Sequence, residues 1–179
     1  MIVVLGVDPG LASLGWCWLD WSPTDRHVRD MGTIRTSPRA PLQERLQQIY
    51  DVLRDATGFK FDVLGIEEQH GAWVGKQQRE KMGASAVTHR VAEGVVRTLP
   101  MVAGAPLVEV TPMQIRAALA LPRGASKEQM RAMVLRICTG LPKRLSQHAA
   151  DSAAIALTTG ARWSVMARTQ RRPNDASTH

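Results

Sequence analysis

The chain has 179 residues, of which 44% are hydrophobic, a length and composition that fit one domain with its own core and exclude a disordered or fibrous chain. No apolar run approaches the ~18–20 residues of a membrane helix, no basic region precedes the first apolar stretch, and the two cysteines, Cys17 and Cys138, match no metal spacing, so a cytoplasmic protein with no membrane or secretory segment is expected. A formal net charge of +7 suits a polyanionic partner, because each neutralised phosphate releases counterions, although many basic surfaces are merely solvated.

The first expected element is a buried strand over 1–8, where Ile2, Val3, Val4, Leu5 and Val7 form an apolar run that Pro9-Gly10 ends as a turn. Residues 15–21 are rich in strand-forming aromatics, Ser22 to Asp25 is a turn signal, and 29–36 reads as a third strand. Short turns between the three predict an antiparallel meander. Leu42, Leu46, Ile49, Tyr50 and Leu53 recur at helical spacing, and Gly58 ends that helix. A short buried strand over 62–69 carries Glu67 and Glu68 at its end, 76–99 reads as a long helix, and 107–110 as another strand. Thr111-Pro112 supplies an N-cap and a first-turn proline, and Ser126-Lys127-Glu128-Gln129 has capping-box form. The stripe Met130, Met133, Val134 and Ile137 behind it reads as core. Ser146 caps a last helix, and the chain turns polar from about Arg168, so one domain over 1–166 and a disordered basic tail over 167–179 are expected. This order predicts an α/β fold with helices on a central sheet.

Acids stand at the ends of three of these elements. Asp8 ends the first strand, Glu67 and Glu68 end the fourth, and His148 and Asp151 share a face at i and i+3 of the last helix. Crevices in α/β folds open at strand ends. Carboxylates that meet there repel unless a cation sits between them. Magnesium fits, because it takes oxygen ligands, keeps waters and bridges to phosphate; two such ions can activate water and stabilise the leaving oxygen of a phosphodiester. Taken singly, each acid has a plainer role: an Asp before Pro-Gly forms turns, and an acid near a helix start balances the dipole. Spacing does not establish convergence, but apolar strands leading into two of the acids favour a shared site.

Leu5-Gly6-Val7-Asp8-Pro9-Gly10 resembles the opening strand of RuvC Holliday-junction resolvases. Gly65-Ile66-Glu67 resembles their second acidic motif, and His148-Ala149-Ala150-Asp151-Ser152-Ala153-Ala154-Ile155-Ala156 their C-terminal helix motif. The resemblance implies a ribonuclease-H-like mixed five-stranded sheet flanked by helices, a homodimer, and two Mg2+ per active site, with Mn2+ as an alternative. It also implies a bacterial cell or a phage-infected host, and an endonuclease that resolves four-way DNA junctions by paired hydrolysis. Carried over residue by residue, Asp8, Glu67 and Asp151 are catalytic metal-binding acids. His148 stands where many members have Asp and some have His, and is expected to bind metal or orient the water. Glu68 would alternate to the opposite face from Glu67 if the strand ran on, which counts against both being ligands.

Further residues could touch DNA. Trp73 lies where the family carries an aromatic that stacks at the branch point, a contact worth roughly 1–3 kcal/mol per base; it could equally pack on a helix or a dimer interface. Arg116 and Lys127 match basic positions near the scissile phosphate, with Arg116 replacing a Lys by a planar fork and Lys127 counted among the catalytic residues. Arg123 neighbours Lys127, Lys76 and Arg79 could line the same groove, and Ser13, in the turn after the first strand, could reach a phosphate. The plain alternative for each is a solvated surface charge. Two other functions are open: a broader fork or flap nuclease of the same fold, and an inactive junction-binding protein, against which the filled acid positions argue.

Overall fold

The computed structural model describes residues 1–68 and 84–170, with side chains described over 1–68 and 90–169. Its strands are β1 (Ile2–Asp8), β2 (Ser13–Trp21), β3 (Arg26–Arg35), β4 (Val63–Glu67) and β5 (Leu107–Val110). Its helices are α1 (Leu42–Thr57), α2 (Ala84–Ala103), α3 (Pro112–Ala118), α4 (Lys127–Ile137) and α5 (Gln147–Gln170). The strands form one mixed sheet in the order β3-β2-β1-β4-β5. β1, β2 and β3 make the expected antiparallel meander, while β4 and β5 run parallel to β1. None of the described helices is long and apolar enough to cross a membrane.

Side chains alternate across β1, so each sheet face buries its own set. Val4 joins Cys17, Leu19, Val63 and Val110 beneath α3, α4 and α5. Leu5 and Val7 join Leu64 and Ile66 beneath Ile49 and Leu53 of α1 and Val96 and Leu99 of α2. Each such aliphatic side chain, fully buried, contributes about 1.5–3 kcal/mol. The fold is thus a sheet between two helical layers, and the two apolar strands β1 and β4 lie at its centre.

On one face the sheet is smoothed by glycine. A Cβ on Gly6 would overlap the Ser152 carbonyl oxygen, one on Gly15 the His148 carbonyl oxygen, and one on Gly65 the Thr159 hydroxyl. The facing part of α5 is small in turn: Ala149, Ala150, Ser152, Ala153, Ala154 and Ala156 are all buried. The helix backbone therefore lies directly on the strands, which no larger residue at these positions would allow.

Several boundaries differ from expectation. β2 begins at Ser13 and pairs it with Arg35, so Ser13 is a strand residue and not part of the turn. β3 begins at Arg26, because an edge strand can expose charged side chains that carry no apolar signal. β4 stops at Glu67, yet the Glu68 N–H still donates to the Val110 carbonyl at 2.8 Å. α2 continues past Leu99 to Ala103 with Pro100 inside it, and its expected start near 76 lies outside the described residues. α5 runs to Gln170, so 167–170 are helical and not the start of a disordered tail. The remainder of that expected tail lies outside the described residues.

Candidate active site

Asp8 and Glu67 are the last residues of adjacent parallel strands whose register pairs Val7 with Ile66. One further step along each strand sets the two acids side by side. Alternation points both toward α5, as it does Gly6 and Gly65 two residues earlier. Because α5 rests on those glycines, its first turns reach the same place.

The start of α5 is fixed by Ser146, whose Oγ accepts the Ala149 N–H at 3.2 Å and lies 2.6 Å from the Thr33 hydroxyl. His148 Nδ1 then stands 3.0 Å from Asp8 Oδ2. On the same helix face, one Asp151 oxygen accepts from Gln147 Nε2 at 2.8 Å and the other from Lys127 Nζ at 3.3 Å. Asp151 is 15% exposed and the Lys127 side chain 65%, so Lys127 reaches in from solvent and its ion pair adds little to stability.

Two capping boxes place the cations. Thr111 Oγ1 accepts the Gln114 N–H at 3.1 Å and the Thr111 N–H donates to Gln114 Oε1 at 3.0 Å, starting the short helix that carries Arg116. Ser126 and Gln129 repeat the arrangement, putting Lys127 at the first position of α4. Their spacing was legible as capping-box form at Ser126 and as Thr-Pro at Thr111.

These elements enclose a cavity of about 130 Å³ lined by Glu67, Asp151, Lys127, Arg116 and the apolar Ile115 and Ile155. Burial pushes the Glu67 carboxyl above its ordinary pKa; repulsion from Asp8 and Asp151 pushes the same way, while Lys127 and Arg116 oppose it. Glu67 thus feels the charges of both Asp8 and Asp151. Among the described residues, no three His, Cys, Asp or Glu side chains are gathered as a metal-holding group; Asp8 pairs with His148, and Asp151 with Lys127 and Gln147. The donor set still fits a hard divalent cation: three carboxylates, one imidazole and an open side where water and phosphate oxygens can complete the shell.

The structure therefore brings together Asp8, Glu67, His148, Asp151, Lys127 and Arg116. Arg123 lines a neighbouring cavity that shares Arg116 and Pro112 with this one. Ser13 opens β2 two residues before Gly15, the β2 partner of Asp8, and does not line the cavity. Trp73, Lys76 and Arg79 lie outside the described residues. Sequence reasoning missed Gln147, although its i, i+4 relation to Asp151 is a known pairing. It also missed the glycines, although a glycine inside a strand signals close backbone approach.

The family model described as crossover junction endodeoxyribonuclease RuvC matches residues 4–159. The crossover junction endodeoxyribonuclease RuvC of Chloroflexus aurantiacus is 34% identical over 157 residues, covering 86% of this chain and 89% of the relative. The Thermus thermophilus RuvC solved in complex with a Holliday junction substrate superposes with a TM-score of 0.74 at 28% identity, over 92% of this chain and 96% of that one. The yeast mitochondrial Holliday junction resolvase shares the fold, with a TM-score of 0.60 at 15% identity over 94% of this chain and 82% of the other. A match over that span, joined to an acid cluster built from the three motifs, places this chain in the RuvC family of crossover junction endodeoxyribonucleases.

Proposed function

We propose that the protein resolves four-way DNA junctions by hydrolysing phosphodiesters at the acid cluster where the ends of β1 and β4 meet the start of α5, with divalent metal held by Asp8, Glu67, Asp151 and His148. The observation that carries this reading is the placing of Asp8 and Glu67 at the ends of adjacent parallel strands, with Asp151 of α5 lining the same cavity as the half-buried Glu67, whose pKa burial and the two neighbouring acids raise. Such an arrangement costs stability and is relieved by a bound cation. Bound magnesium, as a pair of ions, or manganese in its place, would supply charge neutralisation at the phosphate and a water of lowered pKa.

The chain's own groups do the rest. His148 fixes one Asp8 oxygen, and Gln147 fixes one of Asp151, so the acids are pre-oriented. Lys127, exposed at the rim, can leave Asp151 for a phosphate oxygen. Arg116 offers a planar fork on the same wall, suited to two phosphate oxygens at once. Glu68, one residue past the end of β4, is a flanking acid in this reading. Ser13 and Arg123, with Trp73, Lys76 and Arg79, extend the DNA contact beyond the cavity. A homodimer in the cytoplasm suits the substrate, because a two-fold protein matches a near two-fold junction and sets one cavity on each of two strands.

The test is an end-labelled mobile four-way junction beside matched forks, flaps and linear duplex, with magnesium and with EDTA. Paired nicks near the branch point of the junction, dependent on metal and scarce on the other substrates, are expected. Equal cutting of forks and flaps would shift the function to a broader branched-DNA nuclease. Binding without cutting under magnesium and manganese alike would leave a junction-binding protein.

A further inference from the structure

We infer that the second cavity, beside the acid cluster, seats one unpaired nucleobase of the strand being cut, with Arg116 and Arg123 holding its flanking phosphates. This rests on the nuclease reading above and adds a subsite to it. The cavity measures about 540 Å³, within the range of ligand pockets. Pro112, Met113, Ala117 and Leu121 form apolar walls, and Arg116 and Arg123 are its cations.

Three observations select a nucleotide. The cavity shares Pro112 and Arg116 with the acid cavity, so a strand whose phosphate lies among the acids continues past these walls. Arg116 is held by one bond, Nη1 to the Pro112 carbonyl at 3.2 Å, while its Nε is buried and has no hydrogen-bond partner among the described residues. A buried donor of that kind is costly until an acceptor arrives, and phosphate oxygens and base carbonyls are acceptors. The walls themselves are open: Met113 is 61% exposed and Ala117 is exposed. A proline, a thioether and a leucine between two guanidinium groups form a shelf for a flat aromatic ring joined to an anion. The turn that closes the shelf is fixed, with Leu121 N–H donating to the Arg116 carbonyl at 2.8 Å. A base read here would make cleavage depend on the nucleotide at one position near the cut.

The experiment places a single 2-aminopurine at successive positions a few nucleotides either side of the branch point and records its fluorescence on binding in EDTA. A response confined to one position is expected for the wild type and absent in Ala117→Leu, which fills the cavity, while junction affinity, carried mainly by phosphates, stays within a few fold. With magnesium, an abasic site at that position should slow the wild type about tenfold and slow Ala117→Leu no further. Should Ala117→Leu fail to fold, Met113→Ala, at an exposed side chain, should weaken the same response. A uniform response along the strand, or one that survives in both variants, overturns the proposal. A position-specific response without any metal-dependent cut would uphold the base site and sink the nuclease reading; cutting with no position effect does the reverse.

Discussion

His148 Nδ1 lies 3.0 Å from Asp8 Oδ2 across 140 residues of chain, joining the start of α5 to the end of β1. The contact exists because Gly15, the β2 partner of Asp8, leaves no side chain between the strand and the His148 backbone. An imidazole there can orient Asp8 or take a place in the metal shell, and both roles end at the same phosphate.

His148→Asp should retain junction cleavage within about tenfold, because a carboxylate can replace the imidazole as a ligand. His148→Ala should lose about 10–100-fold at limiting metal. Titrating magnesium and manganese against both variants checks this, and unchanged cleavage by His148→Ala under limiting metal would remove the residue from the site.

Gly15→Ala should damage both fold and chemistry, since its Cβ would overlap the His148 carbonyl and force α5 off the sheet. Overpacking of this kind costs about 1–3 kcal/mol, and a displacement of ~1 Å at the site costs about 100-fold in rate. Thermal unfolding and cleavage rate should therefore fall together. Gly94, around which a Cβ would meet nothing within 4 Å, serves as the control in Gly94→Ala.

Glu67→Gln should raise thermal stability in EDTA while abolishing cleavage. Burial, reinforced by Asp8 and Asp151, raises the Glu67 pKa in the fold. The folded state then binds the proton more tightly than the unfolded state, so its stability falls as pH rises from the ordinary carboxyl value through the raised one. The melting-temperature gap between Gln and wild type should be near zero at pH 4, widen above it, and level off once Glu67 is ionised. Each kcal/mol moves the midpoint by about 2–4 °C for a domain of this size. Magnesium should close the gap by stabilising the wild type alone.

Ala120→Gly should stabilise the protein. Ala120 follows α3 at φ 53°, where its N–H donates to Ala117 and the next N–H to Arg116, a helix end that normally takes glycine. Removing the Cβ should gain about 0.5–1 kcal/mol after the entropy of the glycine is counted. A denaturant melt reads this directly, and a loss of stability would show that the Ala120 methyl packs more favourably than the backbone is strained.

The central strands and the acids at their ends were legible because the apolar runs of β1 and β4 are short, buried on both faces and stopped by polar residues. The caps were legible because Thr111 is followed by a first-turn proline and Ser126 carries its partner Gln129 three residues on. The edge was not: Arg26 and His27 open β3 with side chains suited to water, and only pairing with Trp21 and Asp20 makes them strand. The end of α5 was not, because Arg168, Thr169 and Gln170 are polar yet contain no helix breaker. Convergence of the site was beyond spacing altogether. It depends on Gly6, Gly15 and Gly65 meeting Ser152 and Ala156, His148 and Thr159 of α5, a property of two surfaces that are far apart in the chain.

The acid cluster is tested most directly by comparing wild type with Asp8→Asn, Glu67→Gln and Asp151→Asn on one four-way junction, measuring binding in EDTA and cleavage in magnesium. All three variants should bind the junction as tightly as wild type or more so, since each removes a negative charge, and none should cut it. Cleavage near the wild-type rate by any variant would contradict the placement of that acid in the site, and by all three would contradict the site itself.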